Sequence, residues 1–254
     1  MSMNRKKQIK YSTTLIFLTL AMIFFASCSP ALKVVVHDSG YFSYNVIATI
    51  EPSMIETVRS FSGTPENVPL FNTKQIQNSL EIAGMSNVSV KTPDNNSLQV
   101  YGQVKENQNK QDTIHNVLHS VPGAISYGKV KKQNSTLTEL RLTLSQETMA
   151  KAMELLPIET VEYVELLSAP VFTGEQLTPQ EYIDLIAAIY GNSAASVLAK
   201  SQATVEIEVP SKILNANVSV PHGEYKTNGN TVLFTVPLAE LLAQSQAAEF
   251  VVHF

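Results

Sequence analysis

Of 254 residues one is cysteine, Cys28, and none is tryptophan. A single thiol excludes an internal disulfide and any zinc site built from several cysteines, so the fold must be held by packing. Without tryptophan there is no indole platform for a sugar, and the nine tyrosines are scattered singly along the chain, where core and rim packing accounts for them. Neither a G-x-x-x-x-G-K-[ST] loop nor a G-x-G-x-x-G run occurs, which removes the backbone cradles that hold nucleotide phosphates. Nothing in the chain implies a cofactor. The longest apolar run, Leu15 to Phe25, is broken only by Thr19 and spans eleven positions. At ~1.5 Å per residue it reaches about half of a ~30 Å hydrocarbon core, short for a permanent membrane span.

What precedes and follows that run gives it a meaning. Arg5, Lys6, Lys7 and Lys10 stand before it with no acid among them, the charge arrangement of an export signal whose basic end stays on the cytoplasmic side. Phe25, Ala26, Ser27 and Cys28 close it. These residues resemble the signal peptide of a bacterial lipoprotein, in which Leu, two small residues and Cys form a lipobox. Phe25 stands where Leu is usual, so the match is to the looser form of the box. The resemblance implies that Cys28 receives lipid and becomes the first residue of the mature chain, a membrane anchor in the cell envelope. Ser29 after it, in place of the Asp that retains enteric lipoproteins at the inner membrane, favours the outer membrane. An ordinary secretory signal cleaved nearby and an uncleaved anchor are the alternatives. The stretches LLSAPVFTGEQLTPQEYIDLIAAIYG and GNTVLFTVPLAELL are also similar to stretches in uncharacterised bacterial lipoproteins, and no activity comes with that similarity.

Removal of residues 1–27 leaves 14 basic and 22 acidic residues, a net charge of −8. An acidic body argues against nucleic acid as a partner and against a polybasic grip on anionic lipid. The remaining 227 residues suffice for one large or two modest domains.

The periodicities predict an α+β fold with antiparallel hairpins flanking a helical centre, as one domain or two subdomains. Residues 1–27 read as signal peptide, 28–144 as an N-terminal α+β region, 145–200 as a helical region and 201–254 as a C-terminal β-rich region. Phe42, Tyr44, Val46, Ala48 and Ile50 alternate on one strand face. A helix opens at Glu51 and Pro52, with Met54, Ile55, Val58 and Phe61 at helical spacing. A second begins at Asn72, with Gln75 at capping-box distance, and stops at Gly84. SNVSV and SLQVYGQV, separated by PDNN, read as a hairpin. A further hairpin joins a strand near Ile125–Val130 to 139–145, where Leu140, Leu142 and Leu144 face inward and Glu139, Arg141 and Thr143 outward. Ser145 can cap QETMAKAMELL, and Pro157 begins IETVEYVELL. In TPQEYIDLIAAIYG, Thr178, Pro179 and Glu181 occupy the N-cap, N1 and N3 positions. Tyr182, Ile183, Ile186, Ile189 and Tyr190 then form a buried stripe. Val205, Ile207 and Val209 alternate again, Asn228-Gly229 predicts a two-residue turn, and AEFVVHF closes the chain as a buried strand rather than as the last strand of a membrane barrel.

Chemistry is scarce. His115 and His119 in HNVLH would share a helix face, but the Glu of H-E-x-x-H is replaced by Asn116 and no nearby acid offers a third ligand, so an exposed or capping pair is favoured over a metal site. In GAISYG, Ser126 lies one residue too far from Gly123 for a G-x-S-x-G elbow, and a turn into a hairpin explains it. Glu162 with Glu165, and Glu181 with Asp184, are spaced as exposed helix faces routinely are. No catalytic or metal site is expected. The sequence thus predicts a lipid-anchored envelope protein that is not an enzyme and acts by binding, as an adaptor or structural protein with a protein partner. A carrier of lipid or another apolar ligand is the alternative, and an envelope hydrolase the least supported reading.

Overall fold

The computed structural model describes residues 29–39, 41–56, 59, 65–66, 69–82, 84–105, 115–116, 123–132, 135–145, 147–148, 176–243 and 246–254. Among these, twelve strands form two sheets. The first has seven strands. Its centre is β1 (Ala31–Val36) beside β2 (Tyr41–Thr49), continued by β4 (Ser97–Lys105) and the edge strand β3 (Ser86–Lys91). On the other side of β1 come β8 (Gln202–Glu208), β11 (Thr231–Pro237) and the edge strand β10 (Glu224–Asn228). The second sheet orders β5 (His115–Asn116), β6 (Ile125–Lys132), β7 (Ser135–Leu144), β12 (Ala248–His253) and β9 (Asn215–Val218). The fold is α+β and built mostly of antiparallel hairpins. One pair departs from that: β1 runs parallel to β8, with Lys33 opposite Glu206. Both sheets therefore mix strands from the two ends of the chain.

Alternation explains which face each sheet buries. Val34, Phe42, Tyr44, Val46, Ala48, Leu98 and Val100 turn inward from the first sheet, and Leu140, Phe250 and Val252 from the second. The faces meet through aromatic contacts, Phe42 edge-on to Tyr127 at 5.3 Å and Phe234 edge-on to Phe250 at 5.5 Å between ring centroids. Such pairs add ~0.5–1.5 kcal/mol beyond the area they bury. The same core takes in helical residues. Helix α1 spans Thr73–Ile82, α2 Pro179–Tyr190, α3 Asn192–Lys200 and α4 Leu238–Ala243. Leu80, Tyr182, Ile186, Ala194, Ala195, Leu241 and Leu242 join the core from them.

Local signals place these helices. Thr178 Oγ1 accepts from the Glu181 backbone at 3.2 Å, and the Thr178 backbone donates to Glu181 Oε2 at 2.7 Å, the reciprocal capping box the sequence predicts. That backbone donation, with a second from the Thr178 hydroxyl, holds the Glu181 carboxyl below its usual range. Asn72 Oδ1 accepts from the Gln75 backbone at 3.1 Å, and at the far end Gly84 donates to Glu81 and Met85 to Leu80 in the Schellman pattern. Gly191, at φ 87, both ends α2 and starts α3, so it breaks the helix rather than merely kinking it.

Several expectations need correction. The helix expected from Pro52 is present, its first turn 3-10 over Pro52–Met54; Val58 and Phe61 lie outside the described residues. Ile189 is exposed, so the buried stripe of α2 consists of Tyr182 and Ile186 with Ile183 and Tyr190 half-buried. The hairpin expected at Asn228-Gly229 is shifted by one residue, because Asn228 pairs with Thr231 and the loop is Gly229-Asn230. Only Gly229 has positive φ there, 64°, so the first loop position takes the strained conformation, as in a II′ turn. Glu139, expected to face solvent, is buried. As expected, the last strand, β12, is buried, enclosed between β7 and β9.

Candidate functional site

The residues singled out from sequence do not converge. His115 and Asn116 form a two-residue strand paired with Tyr127 and Ser126, where the sequence predicted a helix. His119 lies outside the described residues, as do Cys28, Glu162 and Glu165. Ser126 sits in β6, opposite Arg141, within a hairpin as expected. Glu181 is engaged in its cap, and Asp184 accepts from the Gln180 amide at 2.9 Å. Among the described residues no three His, Cys, Asp or Glu side chains gather as metal ligands.

Among the described residues a concave feature lies elsewhere, on the outer face of the seven-stranded sheet. Because Val34, Tyr44 and Val100 point into the core, their neighbours Lys33, Asn45 and Tyr101 point away from it. Strand register lines them up: Lys33 is opposite Asn45, Asn45 opposite Tyr101, and Tyr101 opposite Ser89. The adjacent row brings Gln99 opposite Lys91, and the row on the other side brings Val35 opposite Ser43. Together they line a hollow of about 450 Å³, within the ~300–1,000 Å³ that ligand pockets span.

A network of uncharged polar groups stiffens its floor. Gln103 Nε2 donates to Tyr101 Oη at 2.9 Å and to Ser43 Oγ at 3.2 Å, while its carbonyl accepts from the Asn87 amide at 2.6 Å. Gln99 Nε2 donates to Asn45 Oδ1 at 3.2 Å. At one rim Lys33 Nζ reaches Glu206 at 2.8 Å and Glu208 at 3.2 Å, and these hydrogen bonds hold its ammonium above the usual lysine range against some desolvation. The parallel pairing of β1 with β8 is what brings those two carboxylates to Lys33.

One contact in the network has the form of a catalytic pair. Ser43 Oγ lies 2.7 Å from His37 Nε2. An activated serine needs more: a third group orienting the imidazole and preorganised donors for the oxyanion. Among the described residues no carboxylate bonds His37, and Gln103 donates into Ser43 Oγ. Sequence reasoning did not find the hollow, because its residues are the outward half of strands whose inward half carried the signal. The alternation in YFSYNVIATI and SLQVYGQV marks those positions once the register is known.

A second polar cluster crosses the outer face of the other sheet. Glu139 Oε2 meets His253 Nε2 at 2.9 Å, and its other oxygen accepts from Arg141 Nε at 3.1 Å. Arg141 Nη1 in turn bonds both oxygens of Glu249, at 2.9 and 3.1 Å. Glu139 and His253 are only 5 % and 3 % exposed, so a substrate has no access to them. Their role is to join β7 to β12.

No protein-family model matches the chain, and no curated protein does. Among solved structures, the folded domain of the LppM protein of Mycobacterium tuberculosis is similar over 89 % of this chain and 87 % of that one, at 9 % identity and a TM-score of 0.35. That likeness carries no argument about this chain. Among the described residues no helix is long and apolar enough to cross a membrane.

Proposed function

We propose that the chain is an exported lipoprotein of the cell envelope, anchored through lipid on Cys28, whose folded body acts by binding rather than by catalysis. The basic start, the eleven-position apolar run and the lone cysteine after Ala26 and Ser27 support the anchor, and Ser29 favours the outer membrane. The observation that carries the binding reading is the hollow of about 450 Å³ on the outer sheet face. Its lining mixes hydroxyl, amide and ammonium groups with apolar surface, several of its side chains are tied to one another, and the Ser43–His37 contact borders it with no carboxylate on His37 among the described residues. This is the chemistry of a recognition surface and fits an adaptor or structural protein. The carrier reading draws less support, since aromatic rings and branched side chains fill the space between the sheets.

Two measurements on the full chain test the proposal. Labelling with a radioactive fatty acid, followed by detergent partitioning, should show label on the wild type and none on Cys28→Ala; equal label on both sinks the anchor. Esterase and protease substrates should be left intact. Turnover that Ser43→Ala abolishes would replace the binding reading with a hydrolase.

A further inference from the structure

Resting on that binding reading, the geometry points to the class of ligand: we infer that the outer-face hollow takes an uncharged, hydroxyl-rich glycan chain. Charge comes first. Lys33 is neutralised by two carboxylates, Glu206 and Glu208, and Lys91 supplies one further positive charge at the opposite rim. Two ammonium groups and two carboxylates leave no net field to select an anion, and a bound phosphate or uronate would sit close to Glu206 and Glu208. The lining offers apolar surface too, but a wholly apolar ligand would also cover five residues, Ser43, Asn45, Ser89, Gln99 and Tyr101, that carry uncharged hydroxyl or amide groups. Burying those against hydrocarbon would cost ~1–3 kcal/mol for each group left without a partner.

The hydrogen-bonding capacity that remains suits hydroxyl groups, which donate and accept from one atom. Gln99 uses its amide N–H on Asn45 Oδ1, which leaves the Gln99 carbonyl as an acceptor and the two Asn45 N–H groups as donors. Ser89 and Lys91 add a hydroxyl and an ammonium on β3. Acceptor and donors thus alternate across neighbouring strands ~4.8 Å apart, and vicinal hydroxyls on a sugar ring can engage such a pattern from one side. Gln103, held on three sides by Asn87, Tyr101 and Ser43, fixes the floor beneath. Rigid, pre-bonded side chains lose little rotamer freedom when a ligand arrives. Val35 and the Tyr101 ring supply the apolar patches that the C–H faces of a sugar can cover. In this arrangement Tyr101 is held by its hydrogen bond to Gln103 and offers a smaller ring than the indole that the sequence lacks.

The test is titration calorimetry of the full chain with soluble neutral oligosaccharides, maltotetraose and chitotetraose as probes, against galacturonic acid oligomers and against vesicles carrying a neutral glycolipid. We expect millimolar or tighter binding of at least one neutral soluble probe. Asn45→Ala and Gln99→Ala should each weaken it about tenfold or more, with circular dichroism and melting temperature unchanged, because both side chains are on the outer face. Lys91→Ala should weaken it less. Failure of every neutral probe, binding only to the uronate oligomers, binding only to the vesicles, or affinity that both variants leave intact would each overturn the inference. Fatty-acid labelling and cross-linking to an envelope protein are read separately, so the lipoprotein binding reading can stand while the glycan assignment falls.

Discussion

The cluster that joins β7 to β12 sets up an unequal pair of substitutions. Glu139 is its hub, accepting from His253 Nε2 with one oxygen and from Arg141 Nε and Nη2 with the other, the last at 3.0 Å. Leucine at position 139 keeps most of the bulk but strands His253 Nε2 in the interior, on a ring whose Nδ1 is already buried without a partner among the described residues. Arg141 is half-exposed and still bonds Glu249, so water can reach its freed N–H groups. Breaking a buried pair from one side costs ~3–5 kcal/mol, and we place Glu139→Leu at the lower end, about 3 kcal/mol. His253→Leu leaves Glu139 with both of its Arg141 bonds and removes the unsatisfied Nδ1, so it should cost about 1 kcal/mol. With both positions changed, two apolar side chains face each other across the strands, and the double variant should be more stable than Glu139→Leu alone. At ~2–4 °C per kcal/mol for a chain of this size, the three melting temperatures separate cleanly. Without tryptophan, far-ultraviolet circular dichroism during urea unfolding is the measurement of choice. Two simply additive costs, or a larger loss from His253→Leu than from Glu139→Leu, would refute the hub.

Tyr44 gives a gain instead of a loss. Its hydroxyl is buried with no partner among the described residues, and burial pushes its pKa up; Tyr44→Phe should raise stability by about 1 kcal/mol in the same urea experiment, and a loss would mean that the hydroxyl is satisfied. For α2, Thr178→Ala should cost about 1 kcal/mol while Pro179→Ala changes little, because position N1 has no helical hydrogen bond to lose. A larger effect at Pro179 would move the origin of the helix.

How much of this was legible in the sequence depends on how far apart the interacting residues lie. Thr178 and Glu181 are three positions apart, and their capping box could be read directly because both partners and the proline between them are local. The alternation from Phe42 to Ile50 was equally plain, since a strand with one buried face writes its period into the chain. Glu139 and His253 lie 114 positions apart. Nothing near either residue announces the other, and the alternation of β7 assigned Glu139 to solvent because period alone cannot tell water from a covering of protein. The hairpin loop missed by one residue for a related reason: Asn-Gly and Gly-Asn are both good turn dipeptides, and in the sequence Asn228-Gly229-Asn230 the register of β10 on β11 decides between them. The hollow needed four strands in register, and the pairing of β1 with β8, across most of the chain, had no local signature.

That pairing also constrains where the hollow would sit in the envelope. Lys33 is five residues beyond Cys28, and a fully extended chain covers at most ~3.6 Å per residue, so a lipid-bearing Cys28 holds the Lys33 rim within roughly 18 Å of its own position. Ala31 already lies in β1 between β2 and β8, and the Pro30 carbonyl accepts from the Thr204 backbone at 2.9 Å, which leaves little free chain to act as a swinging tether. The acidic body contributes no polybasic attraction of its own to anionic lipid. On the proposed lipidation of Cys28, two or three acyl chains, at ~0.8 kcal/mol per buried methylene, would make the attachment permanent. An occupant of the hollow would then be reached close to the membrane surface, where a glycan strand lying along the membrane is accessible and a partner held far from it is not.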